Sequence, residues 1–519
     1  MLVVAKWGLA LASPPSTLLK RFAEGISQYR AGQKESIAMR NVSRRQFGKF
    51  AAAAGSAAFA SAALPKFAWG DPMPTALTYP RGFLWGCATA AYQVEGGAKD
   101  DGRGPSVWDT FSHTPGKTHN GDTGDVADDS YHLYKQDVQL LKALGVQIYR
   151  MSISWSRVFP EGTGKPNPKG IDYYSRVVDE LLANNITPYV TLFHWDLPQA
   201  LEGGWQARNT PKAFADYAAY MGKHLGDRVK HWMTTNEFVC FTDLSYKIGQ
   251  FAPGLKLADG PVNQVRHHGI LAHGLGVQAL RANTPSGTEV GLAENTNVYV
   301  PVIETPEHIE AARKAQRILN SPFLTAVMEG KYTDEYLQHE GANAPKVESG
   351  DMAAIGSPLD FVGLNVYTPQ YVRASDNPMG FAVEPNPSSY PHMFSPWLSI
   401  GPECIYWAVR NVCDIWKAKA IYITENGTSS DDVLTPEGRI EDVDRVMYLR
   451  NHLTQLHRAV SEGYPVKGYF LWSLMDNFEW ADGYSKRFGL HYVDFKTLKR
   501  TPKLSAEWYK NVIAKNAVE

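Results

Sequence analysis

Cysteine is scarce in this chain. Its 519 residues include only Cys87, Cys240, Cys404 and Cys413, too few for a disulfide scaffold and with no pair at zinc-ligand spacing. Cys404 and Cys413 share the helical pattern "ECIYWAVRNVCDIW", where a rise of about 1.5 Å per residue separates their Cα atoms by roughly 13 Å. They cannot bridge each other there. Net charge is lacking too. The 52 Lys and Arg balance 53 Asp and Glu, which leaves no field to hold a polyanion or an acidic membrane surface, so nucleic acid is not an expected partner. No Gly-rich nucleotide fingerprint follows the first strand-like run, and neither H-E-x-x-H nor G-x-S-x-G occurs. No metal or cofactor is therefore expected. What is plentiful is apolar and aromatic: 44% hydrophobic residues suit a large core, and 14 Trp with 26 Tyr offer flat walls on which ligands with apolar faces can stack.

The amino terminus reads as an address. "SRRQFGKFAAAAGSAAFASAAL" starts at Ser43 with Arg44 and Arg45, then Phe47 and Lys49, then an Ala-rich apolar run. A positive start, an apolar middle and small residues before a polar break describe an export signal, and the run is too short and weakly apolar for a stable membrane span. The S-R-R-x-F-x-K pattern resembles the bacterial twin-arginine signal, which implies export to the periplasm or beyond. Cleavage is expected between Ala60 and Asp71. About forty residues precede the arginines, long for such a signal, which makes Met39 a candidate start. Residues 1–70 are thus set apart as a removable extension, and 71–519 as one domain.

Eight short apolar runs follow, each separated from the next by helical patterns: "FLWGCATA", "VQIYRMSI", "ITPYVTLF", "VKHWMTTN", "EVGLAENT", "DFVGLNVY", "AIYITEN" and "VKGYFLWS". Between neighbours lie stretches such as "IDYYSRVVDELLANN" and "DRVMYLRNHLTQLHRAVSEG", apolar at intervals of three and four and closed by Gly or Asn. Strand and helix alternating eight times predict an α/β fold of the (β/α)₈, or TIM, barrel type, with enlarged loops after its strands. The Pro-rich "NPMGFAVEPNPSSYPHMFSPW" reads as one excursion after the sixth strand.

In such a barrel, chemistry sits at the carboxyl ends of the strands. Those ends carry Gln93 and Glu95, Arg150, His194-Trp195-Asp196, Asn236-Glu237, Glu294-Asn295, Asn365-Val366-Tyr367, Glu425-Asn426, and Trp472 followed by Asp476, Glu479 and Trp480. Two Glu residues at strand ends, each beside Asn and with Arg and Tyr to pair, are the equipment of glycosidic bond cleavage. One carboxyl protonates the departing oxygen while the other meets the anomeric carbon. "HHGILAH" reads as core or surface histidines of a helix, and the acidic "GDTGDVADD" as a solvated loop with helix caps.

These motifs resemble glycoside hydrolase family one, the retaining β-glucosidases, from about Tyr79 to Val512. "FLWGCATAAYQVEGG", "YRMSISWSRVFPEG" and "TLFHWDLPQALE" resemble its first three strand signatures. "TTNEF" resembles T-x-N-E-P, "ITENG" the nucleophile signature, and "LWSLMDNFEWADGYSKRFGL" the closing one. The resemblance implies Glu425 as nucleophile and Glu237 as acid and then base, with Arg150 and Tyr367 holding the nucleophile's charge. It implies Gln93, His194, Asn236, Glu479 and Trp480 as ligands of the sugar, Trp472 as its stacking floor and Trp195 close by.

The partner so implied is a small β-glycoside or oligosaccharide; the oligomeric state is not set by the sequence. A retaining mechanism implies carboxyl groups about 5 to 5.5 Å apart. Glu479 stands where relatives acting on 6-phosphorylated sugars carry Ser, so an unphosphorylated glucoside, galactoside or fucoside is expected. A transglycosylase using the same residues, or a sugar-binding relative with weak turnover, is the alternative. Two positions depart from the family. Val366 replaces an aromatic, and Phe238 replaces Pro, which frees the backbone at Glu237 and adds an N–H that needs a partner. The expectation is an acid less firmly held, and a Phe238→Pro variant that turns over as fast or faster.

Overall fold

The computed structural model describes residues 76–519. The export signal expected before residue 71 lies outside them. Within them, each of the eight apolar runs forms a strand: β1 (Leu84–Ala88), β2 (Ile148–Ser152), β3 (Thr187–Phe193), β4 (His231–Asn236), β5 (Glu289–Glu294), β6 (Val362–Asn365), β7 (Ile421–Asn426) and β8 (Val466–Trp472). All pair in parallel in sequence order, and β8 returns to β1 to close a barrel.

The long helices that return the chain are α1 (Ser130–Leu144), α2 (Pro168–Ala183), α3 (Thr210–Leu225), α4 (Asp259–Asn283), α5 (Pro306–Leu319), α6 (Glu403–Trp416), α7 (Val443–Ser461) and α8 (Leu504–Lys515). Local sequence explains their limits. Asn167 caps α2 by accepting from the Lys169 N–H, with Pro168 in the first turn, where its missing N–H costs nothing. The same helix buries Tyr173, Tyr174, Val177, Val178 and Leu181, a single stripe facing the sheet.

Alternation along the strands divides the core. Ile148, Tyr189, Met233, Tyr422 and Phe470 fill the barrel's interior, while Val190, Leu192, Trp232, Ile421 and Ile423 pack outward beneath the helices. Two strands break this alternation near their carboxyl ends. β7 shifts register between Ile423 and Glu425 against β6, and β4 shifts between Met233 and Asn236 against β5. Each is a bulge, and an extra residue in a strand re-aims the side chain that follows it.

The excursion after β6 contains its own strand. Phe381–Glu384 pairs antiparallel with Pro369–Ala374, which pairs in turn with Val298–Pro301. The four cysteines are free and buried, with Cys404 and Cys413 both on α6. His267, His268 and His273 are buried on α4. The acidic loop differs from its reading as solvated and capping. Asp128 is fully buried, and Asp129 stands before α1 in a left-handed conformation with no side-chain capping bond. The loop turns inward because Arg500 donates to the Asp128 carbonyl and to the Asp137 carboxylate.

Candidate active site

Arg150 is the hub of the barrel's open end. From β2 its guanidinium donates to Thr191 Oγ1 on β3 at 3.1 Å, to Asn236 Oδ1 on β4 at 2.6 Å, and on β7 to the Thr424 carbonyl at 3.2 Å and Glu425 Oε1 at 2.5 Å. Only a planar fork of five donors can serve four partners in this way. The other oxygen of Glu425 accepts from the Tyr367 hydroxyl at 2.7 Å. Tyr448 holds Tyr367 from behind, donating to its carbonyl at 2.8 Å.

Glu237 lies across the same network and has no such cation. Its Oε1 accepts from Asn365 Nδ2 at 2.7 Å and its Oε2 from the Cys240 thiol at 3.1 Å. Asn365 also donates to Asn236 Oδ1 at 2.9 Å and accepts from the Thr424 hydroxyl at 2.6 Å, so one carboxamide ties β4, β6 and β7 together. Burial, and then the charge of Glu425, push Glu237 up to about 7. Burial raises Glu425 as well, against the pull of Arg150, Tyr367 and Asn365. The charge of Glu425 disfavours ionising Glu237 as well, and direct contact with Arg150 assigns the charge to Glu425 and the proton to Glu237.

The remaining predicted residues line the same mouth. Two donors fix Asn236 Oδ1 as the acceptor, so Asn236 Nδ2 donates to His194 Nε2 at 3.1 Å. Burial and then Arg150 hold the His194 ring far below its usual range and neutral, which puts its proton on Nδ1. That Nδ1 is buried without a hydrogen-bond partner among the described residues, as is Gln93 Oε1. Gln93 spends its Nε2 on Asn477 Oδ1 and the Phe478 carbonyl, both at 3.0 Å, and on Glu479 Oε2 at 3.4 Å. A buried donor and a buried acceptor, each without a partner among the described residues, suit a ligand with hydroxyls, each of which gives and takes.

Aromatic rings wall this mouth. Trp472 stacks on His194 at 5.8 Å, and Trp480 lies 4.4 Å from Trp195, whose Nε1 donates to the Asn236 carbonyl at 2.9 Å. Farther out, Trp397 meets Tyr367 edge-on at 5.6 Å. All eleven residues singled out from the sequence thus converge on one mouth.

Three participants were not singled out. Asn365 was noted as a strand end only, yet it touches Glu237 directly. Cys240 carried no signal, since its approach follows from the π-helix that starts just after β4. Glu294 was noted as the end of β5. Its carboxyl accepts the Phe238 N–H at 3.0 Å, which corrects the expectation of an unheld loop: the donor that Phe238 adds has a partner.

Comparison with known proteins agrees with this geometry. The model of Glycosyl hydrolase family 1 matches residues 75–518. A 1,4-beta-D-glucan glucohydrolase of Thermotoga neapolitana is 44% identical over 447 residues, covering 85% of this chain and 99% of that protein. A bifunctional beta-D-glucosidase/beta-D-fucosidase of Bifidobacterium breve is 43% identical, covering 84% and 98%. The solved family 1 β-glucosidase from Thermotoga maritima superposes with a TM-score of 0.79 at 42% identity, over 86% of this chain and all of that one. A Thermotoga maritima family 1 glycoside hydrolase solved with a cyclophellitol analogue described as a transition state mimic likewise gives a TM-score of 0.79. With its barrel, its paired glutamates and these relatives, the chain belongs to glycosyl hydrolase family 1.

Proposed function

We propose that this protein is a retaining β-glycosidase that hydrolyses terminal β-D-glucosyl residues, and galactosyl or fucosyl residues beside them, through a covalent ester on Glu425. The observation that carries the reading is the asymmetry of the pair: Arg150 and Tyr367 both bind Glu425, while Glu237 has only a carboxamide and a thiol. The ionised Glu425 attacks the anomeric carbon, and the proton held on Glu237 passes to the leaving oxygen as that bond breaks. Attack consumes the charge that had raised Glu237, so its affinity for a proton falls once the ester has formed. Glu237 then takes a proton from water, whose oxygen displaces Glu425 with the β configuration kept. This requires the two carboxyl groups at the retaining separation of about 5 to 5.5 Å.

His194 Nδ1–H and Gln93 Oε1 meet the sugar hydroxyls, with Asn236 and Glu479 beside them. Trp472 is the stacking floor, and Trp480 and Trp195 close the wall. Glu479 is pushed well above its usual range by burial and by Asp482, Glu425 and Glu237. A phosphate dianion there would face the ionised Glu425 and further disfavour ionisation of Glu479, which supports an unphosphorylated sugar. No helix among the described residues is long and apolar enough to cross a membrane. The paired Arg44 and Arg45 support export by the twin-arginine route.

The test is release of nitrophenol from a β-glucoside, followed by trapping with a slow fluorinated glucoside and mapping the label by mass spectrometry. A label on Glu425 is expected; a label on any other residue defeats the assignment. An added alcohol acceptor that diverted most product to a new glycoside would favour the transglycosylase. Arg44→Lys with Arg45→Lys should strand the protein inside the cell, and unchanged export would refute the address.

A further inference from the structure

The chain leaves β4 at Glu237 in an uncommon way. Glu237 takes φ 52°, a left-handed value that few side chains adopt, and it is followed at once by Phe238 and a π-helix over Cys240–Ile248, wider than an α-helix. A residue so placed stays there only if its surroundings over-determine it. β5 supplies the constraint. The Ala293 carbonyl accepts the Glu237 N–H at 2.9 Å, and the next side chain, Glu294, accepts the Phe238 N–H at 3.0 Å. Two successive donors are thus caught by two successive residues of the neighbouring strand. Beyond them, Thr242 donates to the Phe238 carbonyl at 2.7 Å and Cys240 N–H to the Glu237 carbonyl at 3.1 Å.

Glu294 is 2% exposed, and a carboxyl so buried is expensive unless something is gained from it. Among the described residues no cation is a hydrogen-bond partner of Glu294. Burial pushes it up to about 8, so near neutrality it is an uncharged acceptor and adds no second negative charge beside Glu237.

We propose that Glu294 is a positioning residue for the proton donor: by accepting the Phe238 N–H it locks the peptide that aims Glu237. This inference rests on the glycosidase reading above. It separates Glu294 from an ordinary core group, because it predicts a defect confined to proton transfer. A leaving group as acidic as 2,4-dinitrophenol departs without help, whereas phenol needs the acid. The value of kcat/KM reports events up to bond cleavage and so isolates this step.

The experiment compares phenyl and 2,4-dinitrophenyl β-glucosides on the purified protein and on Glu294→Leu and Glu294→Gln. For Glu294→Leu, which leaves the N–H without an acceptor, kcat/KM on the phenyl glucoside should fall roughly tenfold or more. That is part of the ~10²–10⁴-fold that a positioned acid contributes. On the dinitrophenyl glucoside it should change by less than about threefold. Glu294→Gln keeps an acceptor oxygen and should keep the parent's ratio. Parallel losses on both substrates, or no loss on either, overturn the proposal. If Glu294→Leu does not fold, Glu294→Gln decides alone: a collapsed ratio despite a retained acceptor overturns it, and a preserved one supports it. A parent protein that releases neither phenol refutes the glycosidase reading instead.

Discussion

A single guanidinium sorts the two carboxyls by charge, and the consequences can be measured. On the proposed mechanism, cleavage needs Glu237 protonated and Glu425 ionised. Because Glu237 lies near 7, kcat/KM on a phenyl β-glucoside should fall as pH rises through about 7, by roughly tenfold per unit beyond it. A substrate that needs no acid should lack this alkaline limb, and a limb present on both would place it elsewhere. Arg150→Lys should reduce turnover by about 10²-fold, since a point ammonium cannot hold Glu425, Asn236 and the Thr191 hydroxyl together. Its effect is read as kcat against KM, with kcat taking the larger loss. Much of this was legible in the sequence, because Asn, Glu, Arg and Tyr at strand ends are costly to bury and so announce a task. Asn365 was less legible, since Asn after a strand is also ordinary turn chemistry. Glu294 hid for a similar reason, as a lone strand-end Glu whose partner is a backbone group.

At the level of elements, all eight strands and the helices between them followed from apolar period and stop signals. The bulges did not. By strict alternation Glu425 shares a face with Ile421 and Ile423, which pack beneath the helices, so the pattern alone sends it outward. The register shift after Ile423 turns it into the mouth, a property of pairing between strands that one strand cannot reveal. The same end explains the glycine of "ITENG". A Cβ on Gly427 would lie 1.8 Å from the Trp472 carbonyl oxygen, so Gly427→Ala must push β8 aside. It should lower stability by about 1–3 kcal/mol in a denaturant titration, with activity falling too, because Trp472 is the proposed stacking floor. Phe238→Pro is now expected to fail rather than help. It removes the N–H that Glu294 receives and confines a Glu237 that sits at φ 52°. It also deletes a ring stacked on Phe323 at 5.9 Å, for a loss of about 3 kcal/mol or more. Turnover at or above that of the parent would contradict this account.

Over the whole molecule, buried titratable groups set how stability follows pH. Burial pushes Glu237 up to about 7, and Glu294 and Asp196 up to about 8. For these the folded state holds protons that the unfolded state has released, so their contribution is full below the ordinary carboxyl range and is lost as pH rises through 7 to 8. His231, His452 and His491 are held down to about 4 and His273 to about 3, all by burial. Their contribution is full above about 6.5 and is lost as pH falls towards 4. Between pH 6.5 and 8 only the carboxyls of these two sets titrate, so the melting temperature should fall across that interval. Asp196→Asn with Glu294→Gln should flatten the slope; an unchanged slope would assign it to other groups.

The reach of Arg150 has a last consequence for the newborn chain. Its partner Glu425 lies 275 positions further along the sequence, on the seventh of eight staves. A polypeptide still emerging from the ribosome, or cut short before that stave, has an Arg150 with Thr191 and Asn236 to hold but no carboxylate, and it lacks the proposed attacking group. On the proposed mechanism, sugar cleavage therefore switches on only once β7 has joined the ring, and copies that end before it are harmless to any glycoside they meet.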